Sequence, residues 1–94
     1  MFEVIITSRA DKEFDKLPRD LKEKFYREFK KLETNPFSSD IKKISGTRNG
    51  YRLRIGRWRI LFALFSREKR VEVVDMFLKK GKDDYLKRIK FFGS

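Results

Sequence analysis

From Tyr51 to Phe65 the chain reads Tyr-Arg-Leu-Arg-Ile-Gly-Arg-Trp-Arg-Ile-Leu-Phe-Ala-Leu-Phe, and few folds accommodate that run. Tyr51, Leu53 and Ile55 alternate with Arg52 and Arg54, the period of two that marks a half-buried strand. Past Arg59, apolar residues hold both parities as far as Phe65, as a central strand covered on both faces requires. Gly56-Arg57 lies between the two halves. Glycine at the first central position is the signature of a type II′ two-residue hairpin turn.

Such a turn sets a register. Ile55 faces Trp58, Arg54 faces Arg59, Leu53 faces Ile60 and Arg52 faces Leu61. Leu53, Ile55, Trp58 and Ile60 then form the core side, while Arg52, Arg54 and Arg59 share the other. Like charges directly opposed weaken a ladder, so an anion belongs on that flank. The competing reading is a solvated basic face whose arginine stems cover apolar surface.

Charge is also what sets the whole chain apart. Its 94 residues suit one domain spanning 1–94, with a single core and little surplus stability. Twenty-five Lys and Arg against 14 Asp and Glu leave a net charge of +11. That field draws polyanions from a distance and speeds their association in a salt-dependent way. Nucleic acid, a ribosome surface and an acidic protein all fit such a charge. The chain has no cysteine and no histidine, so it offers neither thiolate chemistry nor the usual neutral-pH base and metal ligand. No metal or cofactor is expected. The longest apolar run, Ile60 to Phe65, is far too short to span a bilayer, and the first residues do not read as a signal peptide; a cytoplasmic protein without membrane contact is the expectation.

The remaining elements follow in order. Phe2 to Ile6 reads as a strand. Ser8 is placed to cap a helix carrying Ala10, Phe14 and Leu17 on one stripe, which Pro18 ends. Asp20 is placed to cap a second helix, about Leu21 to Glu33, with Leu21, Phe25, Phe29 and Leu32 along one face. From Pro36 to Gly50 the chain is turn-rich, anchored by Ile41 and Ile44, with Lys42, Lys43 and Arg48 adding positive charge. Val71 to Leu78 is another strand whose buried parity is ambiguous, because Glu72 interrupts one set and Asp75 the other. A basic turn, Lys79-Lys80-Gly81-Lys82, leads to a short helix carrying Tyr85, Leu86, Ile89 and Phe92. The order is β-α-α-β-β-β with a C-terminal helical tail: an α+β domain with a helical hairpin packed on a small antiparallel sheet.

Asn35-Pro36, then Ile41-Lys42-Lys43-Ile44-Ser45-Gly46, then Tyr51-Arg52-Leu53-Arg54-Ile55-Gly56-Arg57-Trp58-Arg59-Ile60-Leu61-Phe62 resemble the RelE/ParE toxin superfamily. There a lysine–leucine–x–glycine segment precedes Tyr-Arg-Leu-Arg-x-Gly-x-Tyr-Arg-x-x-Tyr. The resemblance extends over nearly the whole chain, but its motif separates the superfamily's branches poorly. It implies a type II toxin: a ribosome-dependent endoribonuclease that cleaves mRNA, inhibits translation and is silenced by a cognate acidic or amphipathic antitoxin, the free toxin being monomeric. Carried over by position, the reactive set falls on Arg52, Arg54, Arg59, Lys79 or Lys80, and Tyr85. Arg57 and Lys82 are expected to bind nucleic acid, and Lys42, Lys43 and Arg48 read equally as phosphate contacts or as merely solvated charges. Two other readings stay open: a ParE-like toxin that inhibits DNA gyrase, and a nuclease-dead basic module that binds only RNA or antitoxin.

RNA cleavage of this kind turns a 2′-hydroxyl on its own phosphate. Arginine suits the phosphate, being planar, always charged and bidentate. It is a very poor base, however, and this chain has Arg52 and Arg54 where RelE-like members carry lysines. Tyr85, Lys79 and Lys80 are left to move protons, the competing reading of Tyr85 being an anchor of the tail helix on the sheet; Asp75 or Glu72 as a base has no pattern behind it.

Overall fold

The structure is a computed structural model that describes residues 1–38, 40–81 and 84–92. Two helices, α1 (Ser8–Asp15) and α2 (Arg19–Leu32), follow strand β1 (Glu3–Ile6) and lie on one face of a sheet completed by β2 (Ile41–Lys43), β3 (Gly50–Ile55), β4 (Trp58–Phe65) and β5 (Arg70–Leu78). A short helix α3 (Asp84–Arg88) and a 3-10 turn (Ile89–Phe92) close the chain on the opposite face. The sheet order is β1-β5-β4-β3-β2. The α+β class and the helical hairpin expected from the sequence are both present. No described helix is long and apolar enough to cross a membrane.

The sheet differs from the expectation in two details. Residues 41–43, read as part of a turn-rich stretch, form an edge strand, because Ile41 pairs with Leu53 and packs on the core beneath the helices. The edge pair β1–β5 is parallel, with Val4 beside Val71 and Ile6 beside Val73, so the sheet is mixed. Strands β2 to β5 run antiparallel in sequence order, and the last returns beside β1.

Helix boundaries move by a residue or two, for local reasons. Thr7, not Ser8, caps α1: it is extended (φ −66°, ψ 160°) and its Oγ1 accepts from the Ala10 amide at 3.4 Å. Its own amide donates to Val73 at 3.0 Å, which ends the strand there and leaves Thr7 as the half-in residue. In α2, Pro18 takes the cap position without a side-chain bond, and Asp20 lies in the first turn. An acid there favours the helix dipole without capping.

The first core lies between the hairpin and the sheet. Ala10, Leu17, Phe25, Phe29 and Leu32 meet Leu53, Ile55, Ile60, Phe62 and Leu64, together with Val71, Val73 and Met76. The second lies under the tail, where Ile44, Leu61, Val74 and Phe77 meet Tyr85, Ile89, Phe91 and Phe92. Apolar residues on both parities of β4 are thus accounted for. The ambiguous parity of β5 has a local cause. The β4–β5 register shifts between Leu61 and Phe62, with Leu61 opposite Asp75 and Phe62 opposite Val73. Val74 is the extra residue, and such a bulge exchanges faces. Val71, Val73 and Met76 therefore join the helix-side core while Val74 and Phe77 join the tail-side one.

The hairpin register follows the expectation pair by pair: Ile55 with Trp58, Arg54 with Arg59, Leu53 with Ile60, Arg52 with Leu61. Gly56 carries φ +59°, whereas Arg57 is not at positive φ, as a type II′ turn requires. A Cβ built on Gly56 would meet nothing within 4 Å. Gly56→Ala is therefore expected to cost only the backbone term, about 1–2 kcal/mol, read as a lower urea midpoint at unchanged slope. An unaltered midpoint would mean that the turn relaxes to another type without loss.

Candidate functional site

Alternation on β3 delivers Arg52 and Arg54 to the face away from the helices, and the hairpin brings Arg59 alongside them. Each guanidinium there has a different situation. Arg54 is exposed and pairs with Asp40, Nη2 to Oδ1 at 3.2 Å, with both side chains more than half exposed. A pair so open to water contributes little. Arg59 turns back on its own hairpin: Nη1 donates to the carbonyls of Gly56 and Trp58, each at 2.9 Å, and its buried Nε has no acceptor among the described residues. Arg52 is half-buried and stands 5.5 Å over the ring of Tyr85. Among the described residues no carboxylate pairs with Arg52, Arg59 or Lys79.

Tyr85 comes from the tail. Its ring rests edge-on against Phe77 at 5.7 Å, and the Lys79 ammonium lies 5.7 Å from it, so the ring has two cations for neighbours. Among the described residues its buried hydroxyl has no hydrogen-bond partner. Backbone pairing fixes Lys79, whose amide donates to the Arg57 carbonyl at 2.9 Å and ties the end of β5 to the hairpin tip. Beside these groups opens a cavity of about 340 Å³, lined by residues 43–45, Arg52, Lys79, Tyr85 and Ile89. It has an apolar wall, a phenol and cations, which suits a nucleotide: stacking surface for a base and charge for its phosphate.

The other basic residues divide by position. Arg57, Lys79, Lys80 and Gly81 line a second, open basin of about 270 Å³ at the hairpin tip, which continues the positive surface. Lys42 pairs with Arg52 and shares its face, whereas Lys43 pairs with Tyr51 and so starts toward the opposite one. Its ammonium donates to the Thr47 carbonyl and lies 5.9 Å from the Tyr51 ring. Arg48 is exposed in the turn before β3. Lys82 lies outside the described residues. Arg52, Lys79 and Tyr85 thus come together at one cavity, Arg57 and Lys80 flank it, and Arg54 and Arg59 occupy the adjoining hairpin.

Neither carboxylate considered as a base is free. Glu72 pairs with Arg70 at 2.9 Å. Asp75 is completely buried; its Oδ2 accepts from Arg88 at 2.6 Å, and Arg9 lies 3.6 Å from Oδ1. The sequence offered one signal for this arrangement, an acid in an otherwise apolar strand, but its partners are 13 and 66 residues away along the chain. Asp40 as the partner of Arg54 and Ile44 and Ile89 as cavity walls had no signal of their own.

A family model described as the ParE toxin of the type II toxin–antitoxin system parDE matches residues 4–85. No curated protein matches the sequence significantly. Among solved structures, the archaeal RelE–RelB complex from Pyrococcus horikoshii superposes with a TM-score of 0.77 at 22% identity, covering 86% of this chain and 98% of that one. The isolated E. coli RelE toxin gives 0.74 at 17% identity, with 96% and 97% covered. The RelB–RelE antitoxin–toxin complex from Methanococcus jannaschii gives 0.69 at 20% identity, with 86% and 96% covered. At such identities the superpositions speak for a shared fold.

Proposed function

The chain belongs to the RelE/ParE superfamily of type II toxin–antitoxin toxins, and from that premise we propose that it is a ribosome-dependent endoribonuclease that cuts mRNA and halts translation. The supporting observation is the convergence of Arg52, Lys79 and Tyr85 on one cavity, with no carboxylate among the described residues to neutralise the two cations.

In the proposed reaction the 2′-oxygen bonds to its neighbouring phosphorus, the bond to the 5′-oxygen breaks, and the products end in a 2′,3′-cyclic phosphate and a 5′-hydroxyl. One proton leaves the 2′-oxygen and one reaches the 5′-oxygen. Arg52 takes the non-bridging oxygens as negative charge builds at phosphorus, and such preorganised charge is commonly the largest catalytic contribution. The Tyr85 hydroxyl, buried in the free chain, has to open to the 2′-hydroxyl for the reaction. As the phenolate, Tyr85 receives the 2′ proton and becomes the phenol, while the Lys79 ammonium gives one proton to the leaving 5′-oxygen and becomes the amine. Arg54, Arg57 and Lys80 hold the flanking backbone.

Because the relatives from P. horikoshii and M. jannaschii are crystallised with RelB antitoxins, we also assign this chain an antitoxin partner. Its net charge of +11 calls for an acidic, amphipathic segment.

A second reading, inhibition of DNA gyrase without cleavage, is favoured by one observation: the matching family model is described as ParE. A reconstituted translation system with a defined message separates the two. Codon-phased cuts bearing new 5′-hydroxyl ends, at unaffected gyrase activity, are the expected result. Intact message together with blocked supercoiling would replace the nuclease reading with the second one.

A further inference from the structure

Asp75 takes no part in the proposed chemistry, yet it is a completely buried carboxylate in the middle of the sheet. Burying a charge carries a large desolvation penalty, and a well-packed apolar residue at the same place is often no less stable. The return on Asp75 must therefore be sought in geometry. Its Oδ2 accepts from Arg88 Nη1 at 2.6 Å, so a tail residue is bound directionally to the floor of the sheet. Arg9, reaching over from α1, lies 3.6 Å from the other oxygen and 3.6 Å from the centre of the Phe91 ring. The guanidinium of Arg88 also lies 4.0 Å from the Phe77 ring.

The spacing along the two elements explains what this does. Asp75 and Phe77 on β5, and Lys79 just past its end, recur every second residue. On α3, Arg88 and Tyr85 are three apart and lie on the same side of the helix. With Arg88 bound to Asp75, Tyr85 falls one helical turn back, onto Phe77 at 5.7 Å and beside Lys79 and Arg52. The apolar contacts of Ile89, Phe91 and Phe92 hold the tail to the sheet, but such contacts are non-directional and tolerate sliding or rotation. A charged hydrogen bond with one short geometry does not.

We propose that Asp75 is a positioning residue: through Arg88 it sets the register of the tail on the sheet and so places Tyr85 between Arg52 and Lys79. The catalytic consequence rests on the nuclease reading above; the seating of Tyr85 does not.

The full chain with ring-labelled tyrosine reports that seating by NMR, since Tyr26, Tyr51 and Tyr85 are its only tyrosines. Arg88→Gln removes the charged bond from the partly exposed side and keeps the test available even where Asp75→Asn unfolds the chain. The expected result is a displaced Tyr85 ring signal, unmoved Tyr26 and Tyr51 signals, and amide exchange over residues 85–92 faster by about tenfold or more. Cleavage is expected to lose about tenfold or more in kcat at similar KM, with Arg88→Lys recovering part of the loss. Wild-type Tyr85 signals and tail exchange in Arg88→Gln would overturn the proposal; a displaced Tyr85 with undiminished kcat would overturn its catalytic consequence and leave the seating in place. Should the wild-type chain cut no message while Arg88→Gln still displaces Tyr85, the nuclease reading falls and the seating stands.

Discussion

Arg52→Ala is expected to slow mRNA cleavage about 10²–10³-fold, the usual cost of deleting one preorganised donor to a developing oxyanion, with little change in melting temperature. Arg52 is the strand arginine that lines the cavity and faces Tyr85 at 5.5 Å. Among the described residues no carboxylate engages it, so its positive charge is available to a phosphate. Its removal also leaves no anion stranded in the sheet, which is why the fold should tolerate the change. Arg52→Lys keeps a charge but loses the planar fork, and an intermediate rate is expected. Arg54→Ala makes the informative contrast. Arg54 lies on the same face but is exposed and shared with Asp40, so a loss of about tenfold or less is anticipated, in line with a contact to flanking backbone. Single-turnover cutting on programmed ribosomes measures all three. Cutting by Arg52→Ala at the wild-type rate would remove the phosphate site from the cavity.

Arg59 shows why a shared face does not mean a shared role. Sequence periodicity places it opposite Arg54, and the register agrees. Its guanidinium nonetheless serves the hairpin, binding the carbonyls of Gly56 and Trp58. Those two bonds moderate the like-charge opposition that made Arg54 and Arg59 look like an anion site. A variant at Arg59 would mix hairpin stability with any contribution to chemistry; Arg52 isolates the second.

Local pattern carried the two central strands, their turn and the helical hairpin, because periods of 2 and 3.6 and a glycine at φ +59° are written in consecutive residues. Where the reading fell short, the deciding interaction was distant in sequence. Residues 41–43 look like loop until Leu53 is seen beside Ile41. The parity of β5 is undecidable alone, since the bulge that moves Val74 exists only relative to β4. The partners of Asp75 come from the first helix and the last. Tyr85 was reached through family resemblance, and no periodicity in the tail indicates that it should meet Arg52 and Lys79. The candidate site was thus legible where it lies on strands and obscure where the tail supplies it.

Phe25→Ala is expected to be among the most damaging single changes to the fold. Phe25 is fully buried on α2, edge-on to Trp58 at 5.5 Å and to Phe29 at 6.3 Å. Truncating such a ring costs about 3–5 kcal/mol, from lost transfer energy and the cavity left behind. A domain of this size commands roughly 5–14 kcal/mol in all, so the melting temperature should fall by roughly 15–30 °C. Tyr26 is the matched control, one residue along but 57% exposed; Tyr26→Ala should change stability by no more than about 0.5 kcal/mol. The contact also bears on the site. Trp58 begins β4 next to Arg59, and the carbonyl of Trp58 is one of the two that hold the Arg59 guanidinium. Phe25 therefore steadies from the helix side the same hairpin tip that carries Arg57 and receives the Lys79 amide on the other. Calorimetric melts of the two variants test this directly. Equal, small shifts for Phe25→Ala and Tyr26→Ala would place α2 in a different helical phase and release the hairpin from its clamp.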